Sequence, residues 1–195
     1  LLQRRRVRRV LLFRRCDRRQ GLRRRVRCWR RRRPGRRRQR VVPDLANGGE
    51  DFALRADPGE LLVVYFGFTN CPDVCPTTLA EVAQVMDDLG DNAGKVQPLF
   101  ISIDPERDRR LGLAEFTAAF HPSIIGLAGD EAQTRAAADS FHIYYAREDD
   151  TAAPDGYTMS HSPALYLISP DGDWLRQFSY GTPAAEILSD LQSRL

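Results

Sequence analysis

The chain has 195 residues, a length that accommodates one ordinary domain with an extension. Its formal net charge of +4 averages two unlike regions. Residues 1–40 contain 21 of the 30 basic residues, all arginine, and one acid, which gives a net charge of +20. The other 9 basic and 25 acidic residues give residues 41–195 a net charge of −16. Within residues 1–40, the longest apolar run, Val10–Phe13, is too short for a membrane span of about 20 residues or a signal core of about 7–15.

Residues 1–40 form an arginine-rich arm that is predicted not to fold alone. Their apolar residues are too few and too scattered to offset the entropy of ordering the chain, and the arginines repel one another. Three interpretations stay open: a basic arm that contacts phosphates, an inert tail, and a mistranslated anchor region. The third is favoured because CGN arginine codons abound in wrong-frame reading of G+C-rich DNA. Cys16 and Cys28 lie in this arm, where no histidine or other cluster of possible metal ligands accompanies them. Because the arm is not expected to fold, the functional domain is predicted to be residues 41–195.

The first half of this domain alternates strand and helix signals. Asn47–Gly49 lies between short apolar segments and predicts a hairpin. The apolar run Glu60–Phe68 is typical of a strand covered on both faces. PTTLAEVAQVMDDLG then has apolar residues at helical spacing and a stop at Gly90. A second central strand is predicted at Lys95–Asp104, and a short helix at Leu111–Phe120.

The second half continues this alternation and ends with an antiparallel pair. SIIGLAG predicts a third strand, and Asp130 caps the helix EAQTRAAADSF. His142–Ala146 is predicted to be a short extended segment, and Ala164–Ser179 a hairpin with PDGD at its turn. The last helix is predicted to begin with Thr182 as N-cap, followed by a proline. This order predicts an α/β fold, an open sheet with helices on both faces.

Two cysteines, Cys71 and Cys75, follow the first central strand in TNCPDVCP. They are predicted at the strand-to-helix turn and in the first helical turn, where unpaired N–H groups and the helix dipole lower a thiol pKa. Thioredoxin-like folds carry their active site at this place. The spacing, wider than the C-x-x-C of common redox sites, allows either a disulfide or a shared metal ion. A purely structural pair is disfavoured, because open α/β sheets place ligand sites at the carboxyl ends of strands.

A metal held by two thiolates needs a third ligand, and the chain has three histidines. His121 and His142 lie beside aromatic residues at element boundaries, as partly buried surface histidines do. His161 is predicted in a loop before a strand, where thioredoxin-like folds bring a loop against the active-site turn. Two thiolates and one imidazole favour Cu(I), or Zn(II) where a fourth ligand is available.

Four segments together resemble the Sco/SenC family of copper-delivery proteins: GFTNCPDVCPTTL, ISIDPERD, FHPSIIGLAGDEAQ and MSHSPALYLISPDG. The resemblance covers roughly residues 42–195. It implies a thioredoxin-like fold with an inserted element, one bound copper as Cu(I) or alternatively Cu(II), no organic cofactor, and a role in assembling the CuA centre of cytochrome c oxidase. It assigns the metal ligands to Cys71, Cys75 and His161. It places Asp104 and Asp73 beside the site as supports that do not bind the metal.

The resemblance also implies partners and a location. The expected partner is the CuA-bearing oxidase subunit, with a thiol reductant or another copper chaperone as a further one. The expected location is extracytoplasmic, at the periplasmic face of a bacterial inner membrane. The family's N-terminal membrane anchor is not visible here, and the arm stands in its place. A frameshift upstream of Val41 would explain both features.

Two alternatives to copper delivery stay open. In the first, the chain is a thiol–disulfide oxidoreductase acting on cysteines of an oxidase subunit or another extracytoplasmic protein, with Cys71 attacking and Cys75 resolving. In the second, the arm makes it a nucleic-acid-binding protein. The second is disfavoured because a domain of net charge −16 would repel nucleic acid, so no nucleic-acid partner is expected.

Three positions depart from the family pattern. Ser160 stands where an aspartate commonly precedes the ligand histidine, so another group must orient the ring. Two arginines at 109–110 replace a usual Thr-Pro helix start, so this helix is predicted to begin later. A proline falls where thioredoxins carry a cis-proline, which predicts a cis Ser162–Pro163 bond.

Overall fold

The computed structural model describes residues 41–44, 50–53 and 60–195. The interpretations of residues 1–40, with Cys16 and Cys28, therefore lie outside the described residues. The strands are β1 (Val41–Asp44), β2 (Glu50–Ala53), β3 (Leu61–Gly67), β4 (Val96–Ser102), β5 (Ile125–Leu127), β6 (Tyr145–Asp149), β7 (Tyr157–His161), β8 (Ala164–Ile168) and β9 (Trp174–Ser179). The helices are α1 (Val74–Leu89), α2 (Pro105–Leu111), α3 (Leu113–Ala118), α4 (Glu131–Ser140) and α5 (Ala184–Gln192), with a 3-10 helix at Gly90–Lys95.

A five-stranded sheet in the order β5-β4-β3-β8-β9 forms the centre of the fold. β3, β4 and β5 run parallel, whereas β8 is antiparallel to β3 and to β9. Every residue of β3 and β8 is buried, so both faces of the sheet centre are covered. The carboxyl ends of β3 and β4 meet at one edge, and the segment with the two cysteines begins there.

Two further pairs of strands lie outside this sheet. β1 and β2 form an antiparallel hairpin, as the Asn-Gly-Gly signal predicted. β6 and β7 form a second antiparallel pair, inserted in the chain between α4 and β8, and the last residue of β7 is His161. This hairpin therefore carries one of the three predicted ligands toward the sheet edge.

Several predicted boundaries are confirmed. α1 ends at Gly90, whose φ of 53° lies in the left-handed region that glycine adopts without strain. α4 begins with a capping box, in which Asp130 accepts from the Gln133 N–H and the Gln133 side chain accepts from the Asp130 N–H. β8 and β9 form the predicted hairpin. None of the described helices is long and apolar enough to cross a membrane.

Other local predictions are wrong. A helix, α2, runs through the arginines at 109–110, where none was predicted. The helix predicted at Leu111–Phe120 is α3, which begins only at Leu113, because Gly112, with φ 80°, lies between α2 and α3. β6 begins only at Tyr145, because His142 adopts φ 54° and turns the chain after α4. α5 has Pro183 rather than Thr182 at its N-cap, since the Thr182 hydroxyl donates to the Ser179 carbonyl instead.

Two expectations beside the site are also corrected. His161 is the end of a strand and not part of a loop, because β7 pairs with β6 along its whole length. The Ser162–Pro163 bond is trans. The Ser162 N–H donates to the Tyr144 carbonyl at 3.0 Å, so the contact between the two strands continues as far as Ser162. The trans isomer is the one that X–Pro bonds prefer.

Candidate metal centre

The cysteine pair lies on the turn between β3 and α1. The Cys71 N–H donates to the Phe68 carbonyl at 3.3 Å, which closes the turn, and Cys75 is the second residue of α1. Cys71 is partly exposed, whereas Cys75 is fully buried, and both are free thiols. The Cys75 N–H donates to the Cys71 sulfur at 3.3 Å. The first turn of the helix therefore directs a main-chain donor at the more accessible sulfur.

Gly67, the last residue of β3, makes room for Cys75. A Cβ at this position would lie 2.8 Å from the Cys75 sulfur and 2.8 Å from the Phe100 ring. Both distances are shorter than real Cβ contacts, so any side chain at 67 would displace the cysteine.

We expect Gly67→Ala to destabilise the fold by about 1–3 kcal/mol and to weaken metal binding, because the added methyl overpacks the Cys75 pocket. Denaturant unfolding and a metal titration measure the two effects. Gly94→Ala is the matched control, since a Cβ at Gly94 meets nothing within 4 Å. A Gly67→Ala protein as stable as the Gly94→Ala protein would contradict this account of the close approach.

His161 completes the group from the end of β7. Its Nε2 lies 3.5 Å from the Cys75 sulfur, and the Tyr65 and Phe68 rings stand edge-on to the imidazole at 6.1 Å between centroids. Its Nδ1 lies 3.3 Å from the Ser162 carbonyl oxygen. A proton on Nδ1 can donate to this carbonyl and leave the Nε2 lone pair for a metal. The carbonyl thus offers the orientation that the absent aspartate at position 160 would have given.

The two sulfurs and the imidazole nitrogen all lie within 4.8 Å of one another. Metal–sulfur bonds of about 2.3 Å and metal–nitrogen bonds of about 2.0 Å place two ligand atoms of one ion roughly 3.3–4.6 Å apart. The cluster therefore fits one ion with only small movements. Two sulfurs and one imidazole are a soft donor set, which suits Cu(I).

The two thiols differ strongly in acidity. The pKa of Cys71 is lowered to about 4 by its hydrogen bond with the Cys75 side chain, helped by hydrogen bonds with His161 and main-chain N–H groups and opposed by burial. The pKa of Cys75 is raised by the same hydrogen bond, by burial and by the charge on Cys71. The Tyr65 hydroxyl donates to the Cys75 sulfur at 3.6 Å, and burial raises the Tyr65 pKa. At neutral pH the pair is one thiolate and one thiol that share a proton.

Iodoacetamide is expected to modify Cys71 well before Cys75 between pH 5 and 8. The Cys71 thiolate persists down to a pH of about 4, so its alkylation should slow only as the pH approaches that value. An ordinary cysteine, with a pKa of about 8.5, slows throughout this range. Digestion and mass spectrometry separate the four cysteine peptides. Equal labelling of both sites, or a Cys71 profile with its midpoint near pH 8.5, would contradict the assignment.

Asp104 contacts residues that hold β7 rather than the three predicted ligands. Its carboxylate lies 2.7 Å from Arg107 Nε and accepts from the Tyr157 hydroxyl at 3.1 and 3.2 Å. Asp73 occupies the N-cap position of α1, where its carboxylate accepts from the Thr77 hydroxyl at 3.5 Å. Its N–H helps to lower the Cys71 pKa. Both residues can therefore act on the site through the elements that carry the ligands.

The remaining histidines lie apart from this cluster. His121 contacts Ser123 at 2.7 Å and the exposed Asp87 at 3.5 Å, and His142 is exposed at the turn after α4. This agrees with the surface positions predicted for both.

Sequence reasoning missed Arg107, which is only 1% exposed. Its guanidinium lies 4.2 Å from the centre of the Tyr157 ring, and Nη1 donates to the Tyr157 carbonyl at 3.2 Å. With Asp104 three residues earlier on the same segment, it ties α2 to the start of β7. The i,i+3 spacing of acid and base in DPERD is the signal that could have indicated an ion pair, though not its burial.

Asp108 also escaped prediction. Its buried carboxylate accepts from the Thr69 N–H at 3.0 Å, the Thr69 hydroxyl at 2.7 Å and the Ser102 hydroxyl at 2.6 Å. Burial raises the Asp108 pKa, although these hydrogen bonds oppose the shift. The contacts fix the turn before Cys71 against the end of β4.

A pocket of about 340 Å³ opens over the cluster and gives access to Cys71 and His161. Its lining comes from the turn after β3, the start of α1 and the end of β7. The lining residues are Phe68, Cys71, Pro72, Asp73, Val74, Thr158, Met159, Ser160, His161 and Pro163.

Comparison with known proteins relates this arrangement to one family. The SCO1/SenC family model matches residues 45–195. A protein of Rickettsia felis named SCO2-like is 38% identical over 148 residues, which are 76% of this chain and 72% of the relative. The human mitochondrial SCO1 homologue is 35% identical over 142 residues, 70% of this chain and 46% of the relative. The structure of Bradyrhizobium japonicum ScoI with copper bound has 32% identity and a TM-score of 0.68, over 80% of this chain and 96% of that chain.

Proposed function

The chain belongs to the SCO1/SenC family, and from this membership we propose that it delivers copper to the CuA site during cytochrome c oxidase assembly. The family prediction and the thioredoxin-like α/β fold that it implied are confirmed. Copper delivery for cytochrome c oxidase is the function of this family, and copper is the cargo. The observation that carries the proposal for this chain is the convergence of two sulfurs and one imidazole within 4.8 Å.

We assign the copper ligands to Cys71, Cys75 and His161. The Cys71 thiolate is already present at neutral pH, because its pKa is lowered to about 4. Cys75 gives up its proton when copper takes its sulfur, so binding releases a proton. His161 adds a neutral nitrogen. Two thiolates and Cu(I) leave one net negative charge, which the Cys75 N–H and the first turn of α1 stabilise.

Transfer then proceeds by ligand exchange from the accessible side. Cys71 is partly exposed at the pocket, whereas Cys75 is buried beneath it. A thiolate of the acceptor entering the pocket displaces Cys71 first, and Cys75 and His161 release the ion afterwards. The copper is therefore never free in solution.

The acceptor that we propose is the CuA-bearing subunit of the oxidase, with a thiol reductant or a second copper chaperone acting upstream. An extracytoplasmic position at the periplasmic face of a bacterial membrane accompanies this proposal. Its support is the family membership, in which the human relative is named as a mitochondrial protein. Asp104 and Asp73 support the ligands through β7 and α1.

Anaerobic Cu(I) titration of the full chain tests the proposal. The parent should bind one Cu(I) at this site, and Cys71→Ser and Cys75→Ser should each abolish tight binding, because one thiolate and one imidazole hold Cu(I) poorly. Cys16→Ser with Cys28→Ser serves as the matched control and should leave the site intact. Tight one-to-one binding that survives loss of either Cys71 or Cys75 would refute the assignment.

A thiol–disulfide oxidoreductase is the second candidate, favoured by the partly exposed, low-pKa thiolate of Cys71. That thiolate attacks a disulfide of the target, forms a mixed disulfide and releases one target thiolate. Cys75 then attacks Cys71, its proton passes to the leaving sulfur, and the target is left as a dithiol while Cys71 and Cys75 become a disulfide. A thiol reductant must reduce this pair before the next cycle.

A further inference from the structure

Met159 lies two residues before His161 on β7, and both residues line the pocket over the metal centre. Residues two apart on a strand face the same side of it, so the thioether and the imidazole share one face of β7. Met159 is partly buried and packed against the core, yet it also lines the pocket with Cys71.

The chemistry of a thioether suits this position. Thioethers are neutral, soft donors that favour Cu(I) and are absent from the usual ligands of Zn(II) in proteins. The pocket that gives access to Cys71 and His161 is also lined by Met159, so a ligand from this residue would bind on the accessible side of the ion. The side chain has three rotatable bonds, so its sulfur can approach an ion without movement of the strand.

The strand that carries both residues is held firmly. Tyr157, at its start, binds Asp104 through its hydroxyl and Arg107 through its carbonyl. The backbone of Met159 pairs with Arg147 on β6. A ligand presented from this strand is therefore positioned before copper arrives, and only side-chain rotation remains to be fixed.

We propose that the Met159 thioether is a fourth, weaker ligand of the bound Cu(I), placed at the mouth of the pocket. It retains the ion on the accessible side while Cys71 is exchanged for a thiolate of the partner. This inference rests on the proposed copper site of Cys71, Cys75 and His161. It adds a residue that selects Cu(I) over Zn(II).

Selenomethionine labelling provides a direct test, because the chain has two methionines and the other, Met86, is buried in the core. The full chain with Met86→Leu, produced behind a cleavable leader so that no initiator methionine remains, carries selenium only at 159. X-ray absorption at the selenium edge should show a copper neighbour after Cu(I) loading and none before. The matched control, Met159→Leu with selenium at 86, should show none in either state.

X-ray absorption at the copper edge of the same samples distinguishes a failure of the Met159 assignment from a failure of the proposed copper site. Normal copper–sulfur and copper–nitrogen shells without a copper neighbour at selenium would overturn the Met159 assignment and leave the proposed function standing. Loss of the sulfur shells themselves would overturn the copper site. Selenium bonded to copper in the Met86→Leu protein, with all other shells retained, supports both.

Affinity measurements supply a second test, because a purely structural role of Met159 would not change the affinity for Cu(I) relative to that for Zn(II). Met159→Leu, which nearly conserves volume, should weaken Cu(I) binding about tenfold in competition with a chromophoric chelator, equivalent to about 1.4 kcal/mol. Zn(II) affinity should change less than about twofold, because Zn(II) does not use thioether ligands. Met86→Leu should change neither. Equal weakening of both metals by Met159→Leu would show that the residue acts only through packing, and would overturn the proposal.

Discussion

His161→Ala is expected to lower Cu(I) affinity by at least about 100-fold, or about 2.7 kcal/mol, while thiol exchange by the cysteine pair persists. The change removes the one nitrogen ligand but neither sulfur. Competition with a chromophoric chelator measures affinity, and reduction of a small disulfide measures exchange. Exchange should not slow, because the hydrogen bond with the Cys75 side chain is the main cause of the low Cys71 pKa, and a rise in that pKa makes the thiolate more nucleophilic.

His142→Asn is the matched control for this variant. His142 is exposed and has φ 54°, a conformation that asparagine tolerates, so the substitution should leave both activities unchanged. The pair of measurements separates copper delivery from thiol–disulfide exchange. Cu(I) affinity in His161→Ala equal to that of the parent would contradict the ligand assignment, and loss of both activities together would contradict the independence of the two roles.

Arg107→Leu is expected to destabilise the chain by about 3–5 kcal/mol, because it leaves the Asp104 carboxylate buried without its ion-pair partner. It also removes the donor to the Tyr157 carbonyl, so the contact between α2 and the start of β7 weakens. Denaturant unfolding measures the stability, and Cu(I) affinity under folding conditions should fall because β7 positions His161.

Two further variants make this prediction specific. Arg110→Ala, on the same helix but 61% exposed, should cost less than about 0.5 kcal/mol. Combining Arg107→Leu with Asp104→Asn should recover part of the lost stability, since no unpaired charge then remains buried. If Arg107→Leu were as stable as Arg110→Ala, the buried ion pair would not hold β7 in place.

The local patterns of the sequence were sufficient for most of the fold. The continuous apolar run before Cys71, the helical spacing after it, and the turn residues at Gly90 and Asp130 act over a few residues each. One helix was not predicted. α2, which contains the arginines at 109–110 and ends at Gly112, forms around the buried contacts of Arg107 and Asp108, and these contacts have no local signal.

The site was only partly accessible from the sequence. Cys71 and Cys75 lie on a single strand-to-helix turn, which is local in the sequence. Their spacing therefore indicated a thiolate pair without knowledge of the rest of the fold. His161 was distinguished from His121 and His142 by its predicted position before a strand, and the family resemblance then gave it the ligand role. The sequence did not indicate that the Ser162 carbonyl would face its ring, because that contact follows from the path of the chain after β7.

The sequence by itself determined most of the element order, though not α2 or β7, together with the cysteine motif, the soft character of the donor set and the family resemblance. The tertiary structure alone decided that Arg107 is buried against Tyr157, 50 residues away, and that Gly67 must lack a side chain. It also decided that Met159 shares the pocket with Cys71. Such contacts join residues that are distant in the chain, so their energies depend on how the sheet and the β6–β7 hairpin pack and leave no local pattern to recognise.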